Sequence, residues 1–366
     1  MESVSRYSAS SLHDFCSQVL QTCGVPPDEA AVTADVLIDT DLHGIDSHGI
    51  AHLQLYANHI LSGAYKTART ISIVHETPCT ALVDGGGGIG HPTAVRAMQV
   101  AIAKAKQVGS SNVAVRHSHH FGAAGYYAAM ALEHDTIGYC MTNAGPGVLP
   151  TFGLQPLLGT NPIALAIPTD QEPPFVLDMA TSVKAYGKLE IAIREGKSIP
   201  AGWFLKADGS MGADPKEFPH WRGSTLDRRG GMLPLGGAGE DTSGYKGFGL
   251  SLGVELLAAV LSGDSPSAFM KIYPNCPEPS ISHFFGAMRI DAFRPAAEFK
   301  ADVDLLLKKI KSSEKVPGGD RIYIPGEKEA DCVRERRQNG IPLHAKVVES
   351  LSKLAQERGV PAPQPL

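Results

Sequence analysis

The sequence predicts a mixed α/β protein, with helices gathered toward its two ends and short apolar strands through its middle. Three observations carry this. The first seventy residues place apolar side chains at helical spacing between caps and breakers. From Thr80 to Ile290, short apolar runs alternate with helical stretches. The chain then finishes on two amphipathic segments, Glu298 to Ile310 and Ala345 to Leu354.

The elements follow in order. Ser11-Leu12-His13-Asp14 reads as a capping box that opens a helix ending near Gly24. Pro26-Pro27 starts a second helix, running through Ala30 to Leu42. After Gly44-Ile45-Asp46-Ser47-His48-Gly49, a third helical stretch carries Leu53, Tyr56 and Ile60. Thr80 to Val83 is a strand ending in a glycine run. Pro92 to Val108 is a helix stopped by Gly109. Val113–Val115, Thr136–Met141, Ile163–Ile167, Phe175–Leu177 and His283–Ile290 read as strands. Helices follow Thr181 and Lys246. The polar stretch from Pro215 to Gly244, with Arg222, Arg228 and Arg229 near its tryptophan, reads as a surface excursion.

Composition removes several classes. With 43% apolar and 19% charged residues the chain is an ordinary globular one. A net charge of -5 disfavours nucleic-acid binding, which needs a basic stripe. No apolar run reaches the ~18 residues of a membrane span. The polar start, Met1 to Ser11, lacks the apolar core of a signal peptide, so a cytoplasmic protein is expected. Cys16, Cys23, Cys79, Cys140, Cys276 and Cys332 form no CxxC pair and read as buried reduced thiols.

Four motifs bear on chemistry. Gly85-Gly86-Gly87-Gly88-Ile89-Gly90 fits GxGxxG between a strand and a helix. Yet no acidic residue stands about 20 positions on, where a ribose ligand belongs. A glycine-rich turn is the better reading. In the second motif His48, His52 and Tyr56 share one face if the segment is helical. Zinc helices pair histidines at i and i+4, but the intervening Glu base is missing here. A lone histidine on such a face is ordinarily a satisfied structural group; the density of polar groups favours acid–base chemistry.

The third motif, His117-Ser118-His119-His120-Phe121-Gly122-Ala123-Ala124-Gly125, enters a helix through small residues. That would offer free amides to an anion or a cofactor phosphate. Its three histidines lack a neighbouring Cys, Asp or Glu, so no metal is expected. The fourth comprises Gly159-Thr160-Asn161-Pro162, Asp178-Met179-Ala180 and Gly187-Lys188. Small residues there admit a flat ligand. Asp178 could accept from a ribose or carboxamide, and Lys188 could stabilise a substrate oxyanion.

Taken together, these blocks resemble the malate/L-lactate dehydrogenase family, which includes ureidoglycolate and sulfolactate dehydrogenases and reductases of cyclic imino acids. The blocks are GIDSHG at 44–49, SHHFGAAGYY at 118–127, GTNP at 159–162, LDMATS at 177–182, IPAGW at 199–203, YKGFGL at 245–250 and IPGE at 324–327. The resemblance implies an NAD or NADP cofactor in a domain that is not a Rossmann fold. It also implies a small-molecule substrate and a homodimer. Residues 1–75 would form a helical segment packing with 328–366, and 76–327 the cofactor and substrate domain. His120, Phe121, Gly122, Ala123, Ala124, Asp178, Met179, Ala180, Lys246, Pro325, Gly326 and Glu327 would line the dinucleotide. Ser47 and His48 would relay the proton, with His120 as the second candidate. His52, Tyr56 and Thr160 would meet substrate.

Two positions set this chain apart from the family pattern. His52 stands where the family carries an arginine that clamps the substrate carboxylate, and histidine lacks the bidentate fork. Lys188 matches the hydroxyacid dehydrogenases, whereas the imino-acid reductases carry aspartate there. The resemblance therefore points to a 2-oxo/2-hydroxy acid, with a cyclic imine as the alternative. A non-catalytic cofactor-binding homologue and a zinc hydrolase are the competing classes.

Overall fold

The structure is a computed structural model that describes residues 5–219, 228–270 and 280–366; Cys276 and Arg222 lie outside the described residues. Strand β1 (Ser5–Tyr7) leads into helices α1 (Ala9–Thr22), α2 (Pro27–Leu42) and α3 (Leu53–Leu61). Strands β2 (Ser72–Glu76) and β3 (Thr80–Asp84) precede α4 (Gly90–Val108) and β4 (Ser110–Ser118). The short α5 (Ala124–Ala129) is followed by β5 (Thr136–Thr142), β6 (Ile163–Ile167), β7 (Phe175–Met179) and α6 (Tyr186–Glu195). Next come β8 (Phe204–Leu205), β9 (Gly231–Met232), α7 (Gly244–Val254) and β10 (Ile281–Arg289). The chain ends with α8 (Ala296–Lys311), α9 (Glu327–Asn339), β11 (Ile341–Leu343) and α10 (Ala345–Arg358).

Seven strands form the central sheet, in the order β2-β3-β4-β10-β5-β6-β7. Only β3 and β4 run parallel, joined through α4; every other neighbouring pair is antiparallel. Alternate side chains go to opposite faces of the sheet. Val113, Val115, Cys140, Phe285 and Ala287 pack under α4 and α5. Ala114 and Phe284 pack on the other face with Val254 and Ala258. Those last two belong to α7 and its π-helical continuation, Glu255–Val260.

A separate apolar core joins the two ends of the chain. Leu12, Phe15, Leu37, Leu53 and Tyr56 meet Ile341, Leu343, Leu351 and Leu354. Strand β1 pairs with β11, so the termini are stitched together by backbone bonds.

Several expectations need correction. The first helix is capped by Ser8, whose hydroxyl accepts from the Ser11 amide at 3.1 Å, one turn before the expected box. Ser72–Glu76, placed with the helical segment by sequence, is the edge strand of the sheet. It is exposed throughout, so no apolar alternation marks it. Helix α9 was missed because EKEADCVRERRQN carries no apolar stripe. The 215–244 segment is not simply a surface excursion: Phe218 and Met232 are buried together, and β9 pairs with β8. Of the five described cysteines, all free, Cys16 and Cys140 are buried and Cys79 is exposed. No helix among the described residues is long and apolar enough to cross a membrane.

Candidate active site

The glycine run is a turn, as expected. Gly86 and Gly87 have positive φ, and the Asp84 carboxylate accepts the Gly86 amide at 2.9 Å. What the turn does is deliver α4 and β4 to the right place. At the end of β4 the backbone twists, with His117 at φ 49, and its three histidines part company. His117 bonds Asp84 at 3.0 Å, His119 stacks on Tyr65 with ring centroids 4.1 Å apart, and His120 turns toward α3. They cannot gather round one metal.

His120 meets the second motif instead. Its ring lies 5.6 Å from that of His48 and 5.5 Å from that of His52, and His48 lies 5.7 Å from His52. The three rings stack within 25° of parallel. His48 stands in the turn before the helix and His52 in a 3-10 turn, so the shared face survives without a continuous helix. All three residues are half-buried. Among the described residues, no three His, Cys, Asp or Glu side chains are arranged to hold a metal ion.

Ser47 Oγ lies 2.9 Å from His48 Nδ1. A Cβ on Gly187 would come within 3.0 Å of the Ser47 Cβ, so the start of α6 closes over the serine and brings Lys188, an exposed residue, alongside. Tyr56 departs from expectation. It is fully buried, and its hydroxyl reaches His120 Nδ1 at 2.7 Å, so it stands behind His120 rather than facing a substrate.

Crowding keeps these rings neutral. Burial, reinforced by His52, draws the His48 pKa down to about 4. Burial lowers His52 as well. His120 is lowered further, by burial first and then by His48, His52, His91 and His283. A second proton on any of them would meet low dielectric and like charge together.

Two residues that sequence reading missed brace the Ser47-His48 loop. Asp41, buried in the last turn of α2, accepts the Ile50 amide at 2.8 Å. Its carboxylate lies so close to Gly49 that a Cβ there would sit 1.8 Å from Oδ1, which is why residue 49 is glycine. Burial pushes the Asp41 pKa up to about 8, opposed by the Ile50 amide and helped by Asp46. Arg336, from α9, donates to the Asp41 carbonyl at 2.5 Å and to the Asp46 carboxylate. No local motif could reveal a partner 290 residues away.

The segments expected to hold the dinucleotide also converge. Asp178, at the end of β7, accepts the Gly125 amide at 2.7 Å. This corrects the expectation of free amides at that helix start: the chain's own carboxylate fills it. Burial of the carboxyl end raises the Asp178 pKa to about 6, against the pull of the Gly125 amide. Pro325 accepts from the Val176 amide at 3.1 Å, which lays 325–326 beside β7. Thr160 accepts the Thr181 amide, Thr181 accepts the Leu235 amide, and Leu235 accepts that of Gly247, beside the exposed Lys246. Met179 and Ala180 are half-buried along this line.

Other expected lining residues face elsewhere. Phe121 is buried, stacked 4.4 Å from His283, and Gly122, Ala123 and Ala124 are buried too, so this stretch can offer only backbone. Glu327 is buried and bound to Lys311 at 3.0 Å and Arg321 at 3.1 Å. Burial alone would raise its pKa; the Ile324 amide and the two cations outweigh that and hold it low. It anchors the start of α9.

Comparisons with known proteins agree across nearly the whole chain. The family model described as Malate/L-lactate dehydrogenase matches residues 7–352. A malate dehydrogenase of Pyrococcus horikoshii is 43% identical over 351 residues, 95% of this chain and 94% of its own. An L-sulfolactate dehydrogenase of Methanothermobacter thermautotrophicus is 37% identical over 342 residues, 93% of each chain. Among solved structures, malate dehydrogenase from Entamoeba histolytica is similar with a TM-score of 0.92 at 35% identity, covering 99% of this chain and 100% of that one.

The buried imidazoles make stability depend on pH. His91 is fully buried, and burial, with His52 and His283, draws its pKa down to about 3. Unfolded, an imidazole protonates near ~6.5. As pH falls from about 6.5 toward 3, the unfolded chain gains protons that the fold refuses, so stability present above 6.5 is lost. Asp41 runs the other way, because its folded pKa lies above the ordinary aspartate value. His91→Gln removes one acid-sensitive ring. Its stability should fall less between about pH 7 and pH 5 than that of the parent, by about 2 kcal/mol. Urea unfolding at the two pH values checks this; identical losses would contradict a neutral His91.

Proposed function

This chain belongs to the malate/L-lactate dehydrogenase family and is an oxidoreductase of hydroxy and oxo acids, and from that premise we propose its chemistry in finer detail. It uses NAD or NADP to interconvert a small 2-hydroxy acid and its 2-oxo acid. The observation that carries this is the neutral His48, bonded to Ser47 and closed over by Gly187-Lys188.

Family membership implies a nicotinamide dinucleotide. The segments around Gly125, Asp178, Pro325 and the Thr181–Leu235–Gly247 chain fit such a group: a carboxylate stands three residues before Thr181 and an exposed lysine one residue before Gly247. Asp178, Met179, Ala180, Lys246, Pro325 and the backbone of 122–124 would hold it. When bound, the nicotinamide supplies or accepts the hydride at the substrate carbon. The sheet supports a site unlike the doubly wound parallel one, since its single parallel pair leaves no strand-order switch point between parallel strands.

His48 is the proton carrier. A pKa near 4 leaves it neutral in the free site, ready to take the hydroxyl proton as a 2-hydroxy acid is oxidised. An anionic substrate raises that pKa, and the same ring returns the proton in the reverse direction. Ser47 orients the imidazole through Nδ1. Lys188 and Thr160 stabilise the developing oxyanion. His52, neutral and single-donor, leaves the substrate carboxylate without a guanidinium fork.

We propose that two copies pair through the α7 face. Leu250, Leu252, Leu256, Leu257, Val260 and Leu261 are all exposed on α7 and its continuation, an apolar surface that calls for a cover.

Three measurements test these proposals. His48→Ala should lower kcat on a 2-oxo acid by about 100-fold or more, with NADH or NADPH binding retained by fluorescence. Near-normal turnover would sink the assignment. His52→Arg should lower KM for simple 2-oxo acids such as pyruvate or oxaloacetate by about tenfold; no gain for any of them contradicts the missing-clamp reading. Light scattering should give twice the chain mass, and Leu256→Glu with Leu261→Glu should give monomers.

A further inference from the structure

Two groups converge on one nitrogen of His120. The Tyr56 hydroxyl lies 2.7 Å from Nδ1, and the Gly122 amide donates to the same atom at 3.4 Å. An amide N–H can only donate, so Nδ1 must present its lone pair. The phenol leads to the same answer. Tyr56 is fully buried, and burial raises its pKa well above that of an ordinary phenol, so it keeps its proton. Among the described residues His120 Nδ1 is its hydrogen-bond partner. A proton on Nδ1 would strand both the phenol hydrogen and the Gly122 N–H in a place closed to water. The ring is neutral because burial and four neighbouring imidazoles disfavour a second proton. Its single proton therefore belongs on Nε2.

We infer that Tyr56 and Gly122 lock His120 as a neutral Nε2–H imidazole, which makes it a fixed hydrogen-bond donor to the reacting oxygen of the substrate while His48 alone moves the proton. The donor part of this inference rests on the reading of the site given above; the tautomer stands on the two contacts at Nδ1 and on the burial that keeps the ring and the phenol neutral. In the reductive direction the hydride adds to the carbonyl carbon and the C=O π pair goes to oxygen. His48 gives that oxygen its proton. His120 keeps its own N–H throughout and polarises the C=O bond, as a neutral imidazole can. The two histidines thus have different tasks because they have different partners on Nδ1. Ser47, on His48, can accept or donate and so permits either tautomer. Tyr56 and Gly122 permit one. Tyr56 is a positioning residue, acting through His120.

The test is nitrogen-15 NMR of unliganded, histidine-labelled protein near neutral pH, with His120→Asn used to assign the signal. Expected is a protonated Nε2 and a bare Nδ1. In Tyr56→Phe, which keeps the ring volume, the signal should shift toward a mixture of tautomers. Its kcat should fall by about tenfold, with KM and the NADH or NADPH dissociation constant within about twofold of the parent. A protonated Nδ1 or an imidazolium in the parent protein overturns the inference. So does a Tyr56→Phe protein with unchanged tautomer and unchanged kcat. Full activity in His48→Ala would instead strike at the reading of the reaction, and the NMR result would still decide the tautomer.

Discussion

The hydrogen bond between Tyr56 and His120 is the contact on which the site depends. Tyr56 belongs to the helical core that joins the two chain ends, and His120 follows the strand that enters the sheet. Two separately packed cores meet at this bond. His120 is held where His48 and His52 can stack against it. Once those imidazoles share so small a volume, their neutrality follows. Charging one would cost desolvation and would repel the others.

Behind the Ser47-His48 loop lies a second constraint, of the opposite chemical kind. Asp41 is a carboxyl in a place without water, tied to the Ile50 amide and pressed against Gly49. Arg336 crosses from the far end of the sequence to bind its carbonyl and the Asp46 carboxylate. The Ser47-His48 loop is therefore positioned by polar groups of α2 and α9 that lie before it in the sequence and far beyond it. Rigid support of this sort suits a reaction in which proton and hydride must travel to the same functional group.

Much of this was legible in the sequence. Strands β3, β4, β5, β6 and β10 and the long α4 show up because apolar residues recur along each. The elements that escaped are those without such a pattern: the exposed β2, the three-residue β1 and β11, the two-residue β8 and β9, and the polar α9. β1 and β11 are held by pairing with each other across the chain and β2 by its hairpin with β3, which leaves no apolar period to read. In the candidate site, Ser47, His48, His52 and His120 could be named from their motifs, because the proton transfer proposed there needs particular side chains. Tyr56 could be named but not oriented. The helical spacing that puts it on the face of His48 and His52 says nothing of which end of that face is roofed over.

The sequence by itself determined the α/β class and the residue types available for proton transfer, which are written in local spacing, and its ordered motif blocks carried the resemblance to the family. Tertiary structure alone decided which histidine partners which group. The motif at 117–120 offers three imidazoles in a row, and the chain path sends one to Asp84, one to Tyr65 and one to Tyr56. It also decided that the α5 start holds Asp178 and that residue 49 must be glycine. The reason is the same in each case. Contacts are fixed by how segments pack against one another, from the eight residues separating Asp41 and Gly49 to the 64 separating Tyr56 and His120.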